Sequence, residues 1–317
     1  MLKTIIVILA LAFPTLALGD EVASVRYQSF NGLSTIETTG GATSSTPFAI
    51  ASVGKTMTSV ALLRLVDRGL LGLDDPVRQH LPADVTDGLG GLKGITLRHL
   101  LTMTSGLPDY FTDDFMEAAL DHPQTIRTPK AAVTFAFHQR PLFSAGTDFD
   151  YSNTNYVLAG MIAEKVTEQS YATLIEAEVF GPAGMSDAVV FGHAPLPQDF
   201  PSGHEDGEEV RAYYQNTGFG DGGVLASAQD LENFYRAVFL DRSLLSDTMM
   251  SELLRDPLGV GYGMGIEVDD QTVGHSGGDL GFSSDIRFHP ESGWLALLLI
   301  AKGEANTDWP AKTLDRH

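Results

Sequence analysis

The sequence predicts an α+β fold, in which a sheet built from both ends of the chain carries a helical insertion. Strand-like alternation is confined to the first and last parts, whereas the middle has helical patterns joined by Pro- and Gly-rich loops. The 317 residues are enough for one large core. We expect one domain, 20–317, with a sheet lobe from about 20–80 and 210–317 and a helical lobe from about 81–209.

Residues 1–19 have the pattern of a secretory signal peptide. Lys3 precedes a short apolar run, and Ala17 and Gly19 place small residues before a cleavage site. The alternatives are a retained membrane anchor and a buried helix, but Pro14 and the short run argue against a stable span. We therefore expect an exported bacterial protein, periplasmic or secreted, with no stable membrane span after cleavage.

The composition excludes several classes of function. A formal net charge of −21 repels phosphate backbones, so no nucleic acid partner is expected. The chain has no cysteine, which rules out disulfides and thiolate chemistry.

The first elements are two strands and a helix. Val22–Gln28 and Leu33–Glu37 alternate as strands do, and Asn31-Gly32 between them is typical of a hairpin turn. The stretch ASVGKTMTSVALLRLVDRG then predicts a helix that is buried, because its first turns are apolar on most sides. Gly69 is a plausible C-terminal stop for this helix.

The insertion and the last part follow. Three helical segments are predicted in the insertion: Leu97–Met103, Lys130–Gln139 and Tyr156–Thr167. The acidic run HEDGEE at 204–209 is interpreted as a solvated loop, because it lacks the second histidine of the H-E-x-x-H zinc motif. One helix and three strands are then predicted: Ala228–Phe239, Gly263–Val268, Ser283–His289 and Trp294–Ile300.

The string GHSGG at 274–278 matches G-x-S-x-G, the turn that carries the nucleophile of an α/β-hydrolase. That turn needs a helix directly after the serine. The residues that follow, DLGFSSDIRFHPESGWLALLLI, predict two strands instead. We therefore do not expect Ser276 to be the nucleophile.

A stronger candidate is the S-x-x-K motif formed by Ser52 and Lys55 at the start of the buried helix. Residues three apart share a helix face, and the helix N-terminus favours developing negative charge. A lysine amine can act as base for a serine only when it is neutral, and burial favours that form. The alternative interpretation is a helix-capping serine with a surface lysine.

Two further motifs fit the same chemistry. In Tyr151-Ser152-Asn153, a tyrosine beside a lysine is a candidate general base, and an asparagine amide can both donate to and accept from a substrate amide. In His275-Ser276-Gly277, a glycine in a strand permits close approach of a substrate backbone.

With these motifs in this order, the chain resembles the serine β-lactamase and penicillin-binding protein superfamily, on the branch of class C β-lactamases, D,D-carboxypeptidases, D-aminopeptidases and family VIII esterases. The resemblance runs from about Phe48 to Leu299 and includes ITLRHLLTMTSGLPDY, YSNTNYVLAGMIAEKVTEQSY and GHSGGDLGFSSDIRFHPESGW. It implies a β-lactamase/transpeptidase-like fold, with an antiparallel sheet flanked by helices plus an all-helical subdomain.

The resemblance also implies roles. Ser52 would be the nucleophile, Lys55 its partner, and Tyr151 the base and proton shuttle. The substrate would be bound by Asn153, His275, Ser276 and Gly277. The oxyanion hole would use the backbone N–H groups of Ser52 and Gly278. No metal and no cofactor are implied.

Three features depart from the family pattern. Met103 replaces the usual histidine of the H-T-S-G-L element. The chain after Ile300 is short, so one flank of the sheet is expected to be thinly covered or covered by a partner. His275 stands where β-lactamases have the lysine of the K-T-G box, and we expect its charge to change between about pH 5 and 8, whereas a lysine there would remain cationic.

The expected function is hydrolysis through an acyl-enzyme on Ser52. The substrate is either a D-residue-containing peptide, such as a cell-wall stem peptide cleaved by a D-alanyl-D-alanine carboxypeptidase, or a small ester. The alternatives are a sensor that is acylated by a β-lactam or peptidoglycan without turnover, and a weak class C-like β-lactamase.

Overall fold

The structure is a computed structural model that describes residues 22–314 apart from 124 and 126. The signal segment predicted at residues 1–19 lies outside this part, so cleavage and export remain predictions. Within the described ranges, no helix has both the length and the apolar character needed to cross a membrane.

Eleven strands are found in the described part: β1 Ser24–Phe30, β2 Leu33–Thr39, β3 Phe48–Ala49, β4 Val189–Val190, β5 His204–Glu205, β6 Glu208–Glu209, β7 Val224–Ala226, β8 Glu267–Val268, β9 Val273–Asp279, β10 Phe282–His289 and β11 Trp294–Ile300. The α-helices are α1 Gly54–Asp67, α2 Ala83–Gly88, α3 Leu97–Leu101, α4 Asp113–Asp121, α5 Pro129–Val133, α6 Thr154–Thr167, α7 Tyr171–Ile175, α8 Gly181–Ala183, α9 Ala228–Tyr235, α10 Asp247–Leu253 and α11 Trp309–Leu314.

The main sheet has six strands in the order β2-β1-β11-β10-β9-β8, and every neighbouring pair is antiparallel. Strands from the two ends of the chain pair directly, with Ser24 opposite Ile300. This sheet, combined with helices, confirms the predicted α+β class. The lobe boundaries near residues 81 and 209 remain a prediction.

Helix α1 runs through the centre of the molecule, as its apolar sequence predicted. All but a few of its residues are buried, and it packs against α6, α7 and α10. It ends in a Schellman motif: the Gly69 N–H donates to the Val66 carbonyl and the Leu70 N–H to the Leu65 carbonyl. Gly69 has a φ of +71°, which explains why glycine is suited to this stop.

One predicted strand is shorter than expected. Of Gly263–Val268, only Glu267–Val268 forms a strand, β8. The Met264 N–H donates to the Leu253 carbonyl, and Gly265 adopts a φ of +68°. The first part of the segment therefore bonds to its helical neighbours instead of joining the sheet.

The acidic run at 204–209 is also corrected. It forms a two-stranded hairpin, β5–β6, rather than a loop. Asp206 and Gly207 at its tip both have positive φ, as a type I′ turn requires. Most of the hairpin is exposed, but Glu205 is half-buried and accepts a hydrogen bond from the Gly281 N–H at 2.7 Å.

The main sheet is thinly covered at the edge formed by β2. Strand β2 is exposed along all of its length except Thr39, which is half-buried, and Leu33 is 79% exposed. Helix α11, from the short C-terminal segment, packs on β10 and β11 instead. The expectation of an incompletely covered flank therefore applies to the β2 edge.

Candidate active site

Ser52 lies in a short 3-10 turn, Ala51–Val53, that leads directly into α1. Ala51 has a φ of +49°, in the left-handed region that residues with a side chain rarely adopt. The turn is fixed to the sheet because the Ser284 hydroxyl donates to the Ile50 carbonyl at 2.8 Å. Ser52 is thus presented at the start of the buried helix, where the sequence predicted it.

The Lys55 amine is completely buried and has three hydrogen-bond acceptors. Its Nζ lies 2.9 Å from Ser52 Oγ, 2.7 Å from Asn153 Oδ1 and 2.6 Å from the Asp221 carbonyl oxygen. An ammonium donates one proton to each of them. A neutral amine still donates to Asn153 and Asp221 and turns its lone pair to the Ser52 hydroxyl. The contacts therefore suit both forms of Lys55, including the neutral form that can take the Ser52 proton.

The Asn153 amide is held by the protein at both ends. Its Nδ2 donates to Asp109 Oδ2 at 2.9 Å, and its backbone N–H donates to Asp109 Oδ1 at 3.0 Å. Either form of the Lys55 amine can donate to the amide, so the oxygen of the amide faces Lys55. The sequence assigned this amide to the substrate. In the structure it also positions Lys55, and its role in substrate binding stays a prediction.

Tyr151 lies beside Lys55 without a hydrogen bond to it. The Lys55 Nζ is 5.1 Å from the centre of the Tyr151 ring. The Tyr151 hydroxyl is buried, and no residue in the described part of the chain forms a hydrogen bond with it. Lys55 is therefore the group in direct contact with Ser52, and the role of Tyr151 as base and proton shuttle stays a prediction.

His275 is 2% exposed, and both of its ring nitrogens have partners. Nδ1 lies against the Ser276 carbonyl oxygen and so carries the proton, while Nε2 accepts from the Tyr262 hydroxyl at 3.0 Å. Burial lowers the pKa of His275 to about 4, although the Glu267 carboxylate, 3.7 Å from Nδ1, opposes this shift. The expected charge change between about pH 5 and 8 is thus wrong, because the buried ring is neutral over that range.

Ser276 lies in the middle of β9, and β10 follows it rather than a helix. Its hydroxyl and its backbone N–H both donate to Glu267 Oε1, at 2.8 and 3.0 Å. Burial alone would raise the pKa of Glu267, but the charge that His275 carries when protonated, the Arg287 guanidinium and the Ser276 donors outweigh it and lower that pKa to about 2. Ser276 is therefore bound to an ionised carboxylate, and the nucleophile elbow is absent, as predicted.

The two glycines of β9 have different surroundings. A Cβ on Gly277 would lie 2.4 Å from Ser284 Oγ and 2.7 Å from the Ile50 carbonyl oxygen. A Cβ on Gly278 would meet nothing within 4 Å. Gly277 therefore allows close approach of the turn that carries Ser52, and the approach of a substrate backbone to Gly277 stays a prediction.

These residues surround one cleft with a volume of about 640 Å³. Its walls include the predicted residues Ser52, Tyr151, Asn153, His275, Ser276, Gly277 and Gly278. They also include five carboxylic residues: Glu205, Asp221, Glu267, Asp279 and Glu304. No lysine or arginine is found among the described residues that line it.

Two of the carboxyls form an acidic wall near Lys55. The Tyr110 hydroxyl donates to Asp221 Oδ2 at 2.7 Å, and burial raises the pKa of Asp221. Burial also raises the pKa of Asp279 to about 7, and the Asp221 charge adds to this. A positive group placed between them would stabilise both carboxylates. Across the described ranges, no group of three or more His, Cys, Asp or Glu side chains is arranged to hold a metal ion.

Comparison with known proteins identifies the family. The sequence profile of the family described as beta-lactamase matches residues 16–316. This chain belongs to the beta-lactamase family. Penicillin-binding protein 4* of Bacillus subtilis (strain 168) is 29% identical over 262 residues, 75% of this chain and 56% of that protein. Protein flp of Staphylococcus aureus (strain COL) is 35% identical over 134 residues, 42% of this chain and 26% of that protein. The chain thus spans about half or less of the length of these curated relatives.

Solved structures agree with this assignment. A D-stereospecific amidohydrolase from Streptomyces sp. superimposes with a TM-score of 0.76 at 28% identity, covering 88% of this chain and 89% of that one. A penicillin-binding protein from Bacillus halodurans gives 0.78 at 25% identity, covering 92% and 94%. These neighbours confirm the predicted β-lactamase/transpeptidase-like fold.

Sequence reasoning in this beta-lactamase family member missed several residues of the site. Asp109 and Asp221 lie in loops, and no local pattern connects them to Asn153 or Lys55. Glu267 follows an irregular segment, so its alignment with Ser276 depends on the pairing of β8 with β9. The one available signal concerns Glu205. The Asp-Gly pair of the acidic run predicts a hairpin turn, and Glu205 in this hairpin lines the cleft.

Proposed function

We propose that this chain is a serine hydrolase that cleaves amide or ester bonds of small substrates through an acyl-enzyme on Ser52. The observation that carries the proposal is the 2.9 Å contact between Lys55 Nζ and Ser52 Oγ at the wall of the cleft. A serine hydroxyl becomes an effective nucleophile when an adjacent base removes its proton. The buried amine of Lys55 is placed to be that base.

The reaction proceeds in two halves. Neutral Lys55 takes the Ser52 proton as Oγ bonds to the substrate carbonyl carbon, and the carbonyl oxygen becomes negative. That oxygen is stabilised by the backbone N–H groups proposed as the oxyanion hole, those of Ser52 and Gly278. The bond to the amine or alcohol breaks as this group receives a proton through Lys55 or Tyr151. Water then attacks the carbonyl carbon of the Ser52 ester and loses a proton to Lys55 or Tyr151. As the bond between this carbon and Oγ breaks, that proton passes to Oγ, which releases the carboxylic acid and restores the Ser52 hydroxyl.

The proposed substrates are small peptides or amides with D-residues, or small esters. The Streptomyces neighbour at 28% identity is a D-stereospecific amidohydrolase, and the Bacillus subtilis relative at 29% is a penicillin-binding protein. A cleft of about 640 Å³ lies in the range that takes small ligands. The mechanism uses side chains of the chain itself and needs no metal or organic cofactor.

The test compares four substrates: a p-nitrophenyl ester, a D-amino-acid amide, a D-alanyl-D-alanine peptide and a chromogenic cephalosporin. Each is assayed with the wild type, Ser52→Ala and the matched control Ser276→Ala. We expect Ser52→Ala to lose turnover by at least about 10³-fold, and Ser276→Ala to retain measurable activity. Fluorophosphonate labelling followed by mass spectrometry identifies the modified serine.

Three outcomes would change the proposal. A label on Ser276 would overturn the assignment of the nucleophile. Stoichiometric acylation of Ser52 without turnover would replace the hydrolase with an acylated binding protein. Preferential turnover of the cephalosporin would identify a β-lactamase.

A further inference from the structure

We propose that Glu267 determines substrate specificity: it excludes substrates with a carboxylate at the β9 edge of the cleft and favours substrates that are neutral or carry an ammonium group. The proposal rests on the proposed acyl-enzyme hydrolysis and specifies its substrate class. A substrate carboxylate at this edge would have to use the hydrogen-bond donors of β9.

The donors at this edge are already occupied. The Ser276 hydroxyl and backbone N–H both donate to Glu267 Oε1, at 2.8 and 3.0 Å. The proton on His275 Nδ1 faces the Ser276 carbonyl oxygen, and Nε2 accepts from Tyr262. A carboxylate of the substrate would therefore have to displace Glu267 in order to gain hydrogen bonds from Ser276.

Sheet register explains how Glu267 is held. Glu267 pairs with Gly274, and Gly274 pairs with Arg287, so the three residues lie in a row across β8, β9 and β10. Gly274 has no side chain, and Arg287 Nη2 reaches across it to Glu267 Oε2 at 2.6 Å. The same guanidinium contacts Asp285 through Nε, at 2.9 Å.

The charges around the cleft are a second reason why a substrate carboxylate is excluded. Arg287 is shared between two carboxyls and does not line the cleft, so it offers no free positive charge to a substrate. Glu267 does line the cleft, as do Asp221 and Asp279 on the acidic wall. A substrate carboxylate near Ser276 meets the like charge of Glu267, whereas an ammonium group meets an opposite charge there and would also stabilise the ionised forms of Asp221 and Asp279. The substrates that fit are D-amino-acid amides and esters, and peptides with a free amino group near the scissile bond.

The experiment uses a matched pair of substrates: a peptide ending in D-alanyl-D-alanine, and the same peptide with its terminal carboxylate replaced by a carboxamide. The wild type is compared with Glu267→Gln, which keeps an acceptor for Ser276 but removes the charge. Glu267→Asp keeps the charge, and Glu208→Gln removes an exposed carboxylate that does not line the cleft.

We expect the wild type to cleave the carboxamide with a kcat/KM at least about tenfold above that for the carboxylate. Glu267→Gln should raise kcat/KM for the carboxylate about tenfold, mainly through KM, and leave the carboxamide within about twofold. Glu267→Asp and Glu208→Gln should keep the preference of the wild type. An unchanged preference in Glu267→Gln, or a wild type that favours the carboxylate, overturns the proposal.

A second measurement needs only the wild type. The carboxamide and carboxylate peptides of the matched pair are compared for their ability to protect Ser52 from fluorophosphonate. Protection by the carboxamide at lower concentration supports the role of Glu267, and equal or better protection by the carboxylate overturns it. These failures differ from a failure of the proposed function, which is full activity or labelling retained in Ser52→Ala.

Discussion

The side chains of this site are held in position by their hydrogen-bond partners. Lys55 has three oxygen acceptors around its amine, and one of these oxygens is oriented by Asp109 on the far side of Asn153. His275 is likewise fixed from both ring nitrogens. The chemistry of the nucleophile therefore depends on residues that do not touch a substrate, and Asp109 is the clearest test of this.

Asp109→Asn is expected to lower kcat/KM by roughly ten- to a hundredfold, because an unsatisfied buried polar group costs about 1–3 kcal/mol. An amide at position 109 that accepts from the backbone N–H of Asn153 points its own NH₂ at the Asn153 NH₂. Asn153 must then lose a bond or turn its NH₂ toward Lys55. Steady-state kinetics measure the effect, and the exposed Asp114→Asn is the control. A wild-type kcat/KM in Asp109→Asn would show that Asp109 does not position the amide.

The buried imidazole predicts how stability depends on pH. The folded pKa of His275 is about 4, below the unfolded value of 6.5, so the unfolded chain binds more protons between these values. His275 therefore reduces stability as pH falls from about 6.5 to 4, and imposes no such penalty above 6.5.

Between pH 7 and 4.5, the wild type should lose roughly 2–3 kcal/mol more of its unfolding free energy than His275→Gln, which has no group that titrates there. Urea unfolding of both proteins at the two pH values measures this difference. Equal losses in both proteins would contradict the buried neutral histidine.

At the scale of elements, β9 and the turn that precedes α1 form one unit. Gly277 allows the strand to lie against Ile50 and Ser284, and the Ser284 hydroxyl bonds to the turn itself. The position of Ser52 relative to the β9 edge is therefore set by contact between backbones, which leaves no room for a side chain.

Gly277→Ala should destabilise the protein by roughly 1–3 kcal/mol, because its Cβ would lie 2.7 Å from the Ile50 carbonyl oxygen and the strand must move away. Gly278→Ala is the matched control, since its Cβ would meet nothing within 4 Å, and its unfolding free energy should stay within about 0.5 kcal/mol of the wild type. Urea unfolding measures both. A stable Gly277→Ala protein would show that the contact is not tight.

The helices and strands also show which parts of the fold the sequence predicts. The buried helix, its stop at Gly69 and the strands β1, β2, β10 and β11 were predictable, because each has a strong local periodicity or a turn residue with a required φ. Their pairing was predictable only through the family motifs. The segment Gly263–Val268 was predicted as one strand and is mostly irregular, because its backbone groups find partners on helices far away in sequence.

The residues of the site also differ in whether the sequence predicts their contacts. Ser52 and Lys55 share a helix face, so their contact follows from spacing alone. The protonation of His275 could not be read from its type, because the neutral ring results from burial and from Tyr262. Glu267 and Asp109 act through pairings between segments distant in sequence, and the one-dimensional pattern contains no trace of them.

At the scale of the whole molecule, the dominant property is charge. A formal net charge of −21 on 317 residues makes the folded state repel itself, and dissolved ions reduce this repulsion. The same sign of charge is found in the cleft, where five carboxylic residues contribute to the walls.

The unfolding temperature at pH 7.5 should therefore rise as NaCl is increased from about 0.01 to 0.5 M, since the Debye length falls from about 30 Å to below 10 Å. Near pH 4.6, the isoelectric point of the sequence, the same addition should have little effect. Thermal unfolding at both pH values provides the measurement and its control. A decrease in unfolding temperature with salt at pH 7.5 would show that attractive ion pairs outweigh the general repulsion.

The pairing of β1 with β11 also sets an order of events during synthesis. Ser24 leaves the ribosome long before Ile300, yet these two residues lie opposite each other in the sheet. Until β9 and β11 have been made, β1 lacks its central neighbour, and the turn bearing Ser52 lacks the strand at 273–279 against which it rests. A nascent or truncated chain without these strands consequently has no assembled cleft. We therefore expect Ser52, the proposed nucleophile, to be unreactive in such chains.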